Sequence, residues 1–146
     1  LSQEGTIVDA KDLFQRSTDA WNSRDQEGFF ATFADDCEVT APGFTGKGRQ
    51  GLTEFWNAWH AGFSDNQVTV RLMVADGDYV VEESVFSGTH DGPLMSQDGS
   101  EIPATGRQVS SAFSSVSTTR GDQIVSTHFY FDRLDMLTQL GLMSEG

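Results

Sequence analysis

Basic residues are scarce in this sequence: nine lysines and arginines stand against 22 aspartates and glutamates, a formal net charge of −13. Phosphate backbones and anionic membrane surfaces are gripped by clustered cations, so nucleic acid and membrane are excluded as expected partners. Cysteine occurs once, at Cys37, which rules out an intramolecular disulfide framework and a cysteine-rich metal site. Its neighbours Asp35, Asp36 and Glu38 would raise a thiol pKa rather than activate it, which points to a buried structural role. Three scattered histidines lack the paired spacing of a zinc site, and neither metal nor cofactor is expected. No run approaches the roughly 20 apolar residues of a membrane span, and no signal-peptide pattern opens the sequence. Leu1 rather than Met stands first, which fits a trimmed start, and a cytoplasmic location is the default expectation. Gly46-Lys47-Gly48-Arg49 lacks the Walker spacing, and no Ser-His-Asp set or nucleophile elbow is visible.

Against these shortages stand the aromatics: eleven Phe and three Trp, with only two Tyr. Large rings without a polar handle suit a core or an apolar cavity. The 146 residues suffice for one domain with a real core. Helical spacing of Ile7, Ala10, Phe14, Ser17 and Trp21 predicts a first helix over Thr6–Asn22. Asp25 can cap a second, short helix carrying Phe29, Phe30 and Phe33. Glu38–Ala41 reads as a short strand stopped by Pro42-Gly43, and Gly46-Lys47-Gly48 as a loop. A third helix follows from about Arg49 to Phe63, with Leu52, Phe55, Trp56, Trp59 and Phe63 on one broad apolar stripe.

The second half alternates. Gln67–Val74, Tyr79–Gly88, Val109–Thr118 and Ile124–Phe131 read as strands, with turns at Asp76-Gly77-Asp78 and Arg120-Gly121-Asp122. A Gly-, Asp- and Pro-containing loop spans Asp91–Gly106. Asp132 can cap a terminal helix with Leu134, Leu137 and Leu140. Helices grouped first and antiparallel strands later mean α+β, with helices on one face of a sheet that twists and curls. A bent sheet over helices leaves a hollow, and the distribution of Phe and Trp would give it aromatic walls.

Several strings, in order, carry a resemblance: Ala20-Trp21-Asn22 with Asp25, Phe33-Ala34-Asp35-Asp36, Asp76-Gly77-Asp78, Gly88-Thr89-His90-Asp91-Gly92, Thr105-Gly106-Arg107, and Tyr130-Phe131-Asp132 running into Gln139-Leu140-Gly141. Together they resemble the SnoaL-like polyketide cyclases of the NTF2-like superfamily. The resemblance implies a cone-shaped α+β barrel, a curved and mostly antiparallel sheet packed on three N-terminal helices. It also implies a homodimer through the back of the sheet, and a buried pocket for polyketide ring closure or related acid/base chemistry without a cofactor. Phe129 stands where characterised ester cyclases of this kind carry an acid/base aspartate, and about Ala41 where ketosteroid isomerases carry theirs.

His90, at the end of a long strand, is the first candidate for the acid/base, since histidine titrates near neutral pH and the resemblance places a histidine here. Asp132 and His128 are the second pair. Strand parity puts His128, Tyr130 and Asp132 on one face and Phe129 on the other, so His128 faces outward if Phe129 lines the pocket. Glu82 and Glu83 are adjacent on a strand, so one must face inward, where an aromatic pocket would raise its pKa and suit it to general acid chemistry. Parity groups Glu82 with Ser84, Phe86 and His90, although eight residues span roughly 27 Å of strand. Glu83 with Arg71 or Arg107 would make a cross-strand ion pair. Trp21, Trp56, Trp59, Phe63, Phe86, Phe113 and Phe129 are the expected ligand-binding walls, some three or four of them touching the ligand. His60 is expected at the surface or an edge.

These readings converge on a cofactor-independent enzyme of cyclase, isomerase or hydrolase type acting on a hydrophobic polyketide-like molecule. The rivals are a non-catalytic small-molecule binding module and an epoxide-hydrolase-type relative.

Overall fold

Asp9 accepts a hydrogen bond from the Asp12 backbone N–H at 2.8 Å and so caps α1, Ala10–Asn22. The computed structural model describes residues 9–95 and 99–143, so the predicted first turn over Thr6–Val8 lies outside them. Asp25 caps α2, Gln26–Ala31, through the Gly28 N–H. Arg24, at φ 61°, makes the sharp reversal between the two helices. Phe33, expected on α2, instead opens β1, Phe33–Ala41, and the expected loop at Gly46–Gly48 is largely a strand, β2, Phe44–Lys47. The reason is a tight antiparallel pairing in which Glu38 faces Lys47, their charged groups 3.5 Å apart. A Cβ on Gly46 would stand 2.8 Å from the Gly51 Cα, so glycine lets the hairpin pack on the next helix, α3, Gly48–Gly62.

The long strands follow: β3, Gln67–Asp76, and β4, Tyr79–Thr89. The predicted loop carries a small two-stranded ribbon, β5, Leu94–Met95, and β6, Glu101–Ile102. Then come β7, Gln108–Arg120, β8, Gln123–Phe131, and α4, Arg133–Gln139. The main sheet runs β2-β1-β8-β7-β4-β3. It is antiparallel throughout except where β1 runs parallel to β8. This is the NTF2/ketosteroid isomerase-like α+β architecture, with four helices among the described residues and a curved sheet.

Strand parity sorts side chains into two faces. Val80, Glu82, Ser84 and Phe86 of β4 are buried beneath the helices. A bulge between Val70 and Leu72 in β3 shifts the phase, so that Met73 turns inward while Leu72 and Val74 are more than half exposed. Cys37 is buried. Burial is the main cause of its raised thiol pKa; Arg49 opposes the shift and Asp36 adds to it. No helix among the described residues is long and apolar enough to cross a membrane.

Candidate functional site

Between the helices and the concave face of the sheet lies a cavity of about 90 Å³. Its walls come from every layer: Phe14 and Trp21 of α1, Phe29 of α2, Phe55 and Trp59 of α3, Phe86, Phe113, Phe129 and Phe131 of the sheet, and Met136 of α4. Ser17, Thr18, Ser111 and Thr127 supply hydroxyls, and Glu82 is the single ionisable side chain among the described lining residues.

Glu82 sits in one sheet row with Met73, Ser115 and Phe129, each opposite the next across β3, β4, β7 and β8. Its side chain is almost wholly buried, and both carboxyl oxygens are held: Ser84 Oγ donates to Oε2 and Ser115 Oγ to Oε1, each at 2.7 Å. Both serines are fully buried. Burial raises the Glu82 pKa, and the two serine hydrogen bonds oppose that rise. A carboxyl so placed can give or take a proton inside an apolar, water-poor space.

Five of the seven expected wall residues line the cavity: Trp21, Trp59, Phe86, Phe113 and Phe129. Phe129 stacks on Phe55 with ring centroids 5.1 Å apart and is an apolar wall. Trp56 and Phe63 do not line it. On α3 the cavity side follows Leu52, Phe55 and Trp59, at i, i+3 and i+7. Trp56, one position round, packs against Trp21 and Phe29 instead. Phe63 is the cap residue beyond the helix and is buried against Trp59, Phe86 and His90.

None of the three acid/base candidates, His90, Asp132 and His128, lines the cavity. His90 follows the inward parity of β4 but lies past the strand end, wholly buried, as the root of the following loop. Its backbone pairs with Arg107 and Gly106. Its Nδ1 accepts from the Thr105 backbone N–H at 3.2 Å and lies 2.9 Å from Thr105 Oγ1, which leaves the proton on Nε2. That atom has no hydrogen-bond partner among the described residues. Burial lowers the His90 pKa, against the charge of Asp91 and the Gly92 carbonyl. Asp132 is exposed and caps α4 by accepting from the Asp135 N–H at 3.0 Å. His128 is half-buried on the convex face, in a row with Val116, Val81 and Val74.

His60 is half-buried, neither open to solvent nor in the core: its ring lies 4.2 Å from that of Trp21 and 3.9 Å from that of Trp56. Asn66 Oδ1 accepts from Trp21 Nε1 at 2.7 Å, so its amide nitrogen faces His60 Nδ1 as donor, and Nε2 donates to the Trp21 carbonyl. Burial, helped by the charge of Arg24, pushes His60 down to about 4. Glu83 faces outward, opposite Leu72 and Ser114, and has no ion pair among the described residues. Arg71 falls in the bulge, and the Arg107 side chain lies against Gly141. Among the described residues no three His, Cys, Asp or Glu side chains gather as they would around a metal ion.

Solved structures share this fold. The chain is similar to AclR, a candidate hydroxylase of Streptomyces galilaeus, at 19% identity and TM-score 0.79, over 95% of this chain and 100% of that one. It is similar to IdmH, a candidate polyketide cyclase of Streptomyces antibioticus, at 28% identity and TM-score 0.77, over 92% and 99%. A SnoaL-like protein of Jannaschia sp. CCS1 aligns at 20% identity and TM-score 0.79, over 91% and 92%. No curated protein matches the sequence. The SnoaL-like polyketide cyclase family model matches residues 11–140, and the chain belongs to that family.

Proposed function

We propose that this chain is a cofactor-independent acid/base enzyme that acts on a hydrophobic, polyketide-like molecule in the cavity, with Glu82 as its proton-transfer group. The observation that carries the proposal is the isolation of Glu82, which among the described residues is the one ionisable side chain in an otherwise apolar and hydroxyl-bearing lining. Among the described residues nothing cationic lines the space with it, and none of their ion pairs takes up its charge. Family membership and the likeness to IdmH support polyketides as the substrate class. The position that carries an acid/base aspartate in ester cyclases is here Phe129. The carboxyl stands two strands away in the same sheet row, about 10 Å at ordinary strand spacing. In this reading His90, Asp132 and His128 take no chemical step.

Turnover of a panel of hydrophobic polyketides, compared between the wild type and Glu82→Gln, tests the proposal. Loss of one positioned acid/base lowers the rate by about 10²–10⁴-fold, while binding measured by native mass spectrometry persists. Unchanged turnover in Glu82→Gln would sink the proposal. Binding without turnover in the wild type would establish the binding-module alternative.

We also propose that the chain forms a homodimer through the convex face of the sheet. Val74, Val81 and Val116 lie in one row and Leu72 and Tyr130 in the next, all substantially exposed. Glu83 is the only carboxylate within those two rows. A chain of net charge −13 meets its own copy most readily through a face so poor in charge.

A further inference from the structure

The two serines that hold Glu82 do more than satisfy it. A buried carboxyl needs partners for its oxygens, but a single hydroxyl, or a backbone N–H, would meet that need without fixing the plane of the group. Here one donor reaches each oxygen, from two directions. Ser115 lies directly opposite Glu82 in the β4–β7 ladder, and Ser84 follows two residues on along the same face of β4. Both are fully buried, and neither lines the cavity. From these positions they fix the carboxyl plane while leaving each oxygen a free lone pair.

Two hydroxyls that both donate favour the ionised carboxylate. On protonation one of the two serines must either turn its hydroxyl to accept from the acid O–H or donate to a much weaker acceptor, so the pair of donated bonds is kept in full only by the carboxylate. We propose that Ser84 and Ser115 are positioning residues that set Glu82 as the resident base of the cavity, poised to accept a proton from the substrate rather than to donate one first. This rests on the reading of Glu82 as the proton-transfer group and gives that reading a direction. The proton passes from a carbon or oxygen of the substrate to a carboxylate oxygen, and the bonding pair stays on the substrate. The same proton returns at the end of turnover, so the step needs neither oxidant nor further reactant. An acid-first enzyme would call for the opposite environment, a carboxyl in apolar surroundings without such donors.

The test follows the carboxyl carbon of Glu82 by NMR in the full chain labelled with ¹³C-glutamate, its resonance identified by its loss in Glu82→Gln. Hydrogen bonds to a charged group contribute enough that removing either hydroxyl, in Ser84→Ala or Ser115→Ala, should raise the titration midpoint by about one pH unit. Ser84→Thr and Ser115→Thr keep the hydroxyl and should return the midpoint toward that of the wild type. The acid limb of kcat/KM should move by the same amount as the NMR midpoint. Midpoints that stay put or fall in both alanine variants overturn the assignment. So does a wild-type carboxyl that remains protonated to about pH 9, since it could not act as a base first. Should one alanine variant fail to fold, the other and the wild-type titration still decide. The two readings fail separately. An inactive Glu82→Gln with unmoved midpoints overturns the serine assignment alone, whereas moved midpoints with full turnover in Glu82→Gln overturn the catalytic reading beneath it.

Discussion

Phe129 and Glu82 share one row of the sheet with Ser115 between them, and the contrast between the two positions is a matter of burial. Phe129 gains from stacking on Phe55, whereas Glu82 bears the desolvation that raises its pKa above the ordinary glutamate value of 4.5. The folded chain therefore holds that proton more tightly than the unfolded chain does. The contribution to stability is fully present below about pH 4.5 and is lost as pH rises through the folded midpoint. Glu82→Gln should consequently melt higher than the wild type at pH 8 and match it near pH 4, as read by calorimetry. His60 has the opposite sign. Its folded value of about 4 lies below the ordinary 6.5, so its stabilisation is present above pH 6.5 and disappears as pH falls toward 4. His60→Gln should flatten the acid side of the stability curve, leaving the part carried by His90, whose pKa is also lowered. An acid slope as steep as that of the wild type would show that His60 is not a cause.

At the scale of elements, strand parity and helix periodicity made much of the site legible. Parity required that one of Glu82 and Glu83 face inward, and the structure selects Glu82. The serines of β7 gave no signal for that choice, because Ser115 stands opposite Glu82 and Ser114 opposite Glu83; the parity that Glu82 shares with Phe86 was the available one. The α3 stripe was visible, but its width hid that only its Leu52–Phe55–Trp59 edge meets the cavity. Trp56, on the same stripe, turns toward α1 and α2. β2 was missed because glycines suggested a loop, whereas the glycine at 46 permits close packing of a hairpin on α3. The bulge at Arg71 leaves no sequence mark, yet it reverses which residues of β3 face solvent. That His90 stands outside the cavity lining was not legible for another reason: parity gives the face but not the distance from the strand end to the cavity. Asp132 illustrates how a cap mimics a catalytic group, since a carboxylate at a strand-to-helix junction serves either role. Asp132→Ala should cost about 1 kcal/mol in denaturant unfolding through the lost cap and leave turnover in place. A turnover loss comparable to that of Glu82→Gln, at unchanged stability, would return Asp132 to the chemistry.

Over the whole molecule, one curved sheet presents two surfaces of different character, and alternation along each strand keeps them separate. The concave surface holds Glu82, Ser115 and Phe129, while their neighbours in sequence, Val81, Val116 and Tyr130, point the other way and are exposed. A change on the convex face should therefore alter assembly without reaching the carboxyl. Val116 is the informative position, because it is central to its row and paired with both Val81 and His128. In an isologous interface one substitution is presented twice, so Val116→Lys places two charges in the same contact. Light scattering at micromolar concentration should report a dimer for the wild type and a monomer for Val116→Lys, with the Glu82 carboxyl titrating identically in both. A wild type that is already monomeric would end the dimer proposal. A Glu82 midpoint that shifts on dissociation would show that the two faces are coupled through the backbone that strand parity otherwise divides.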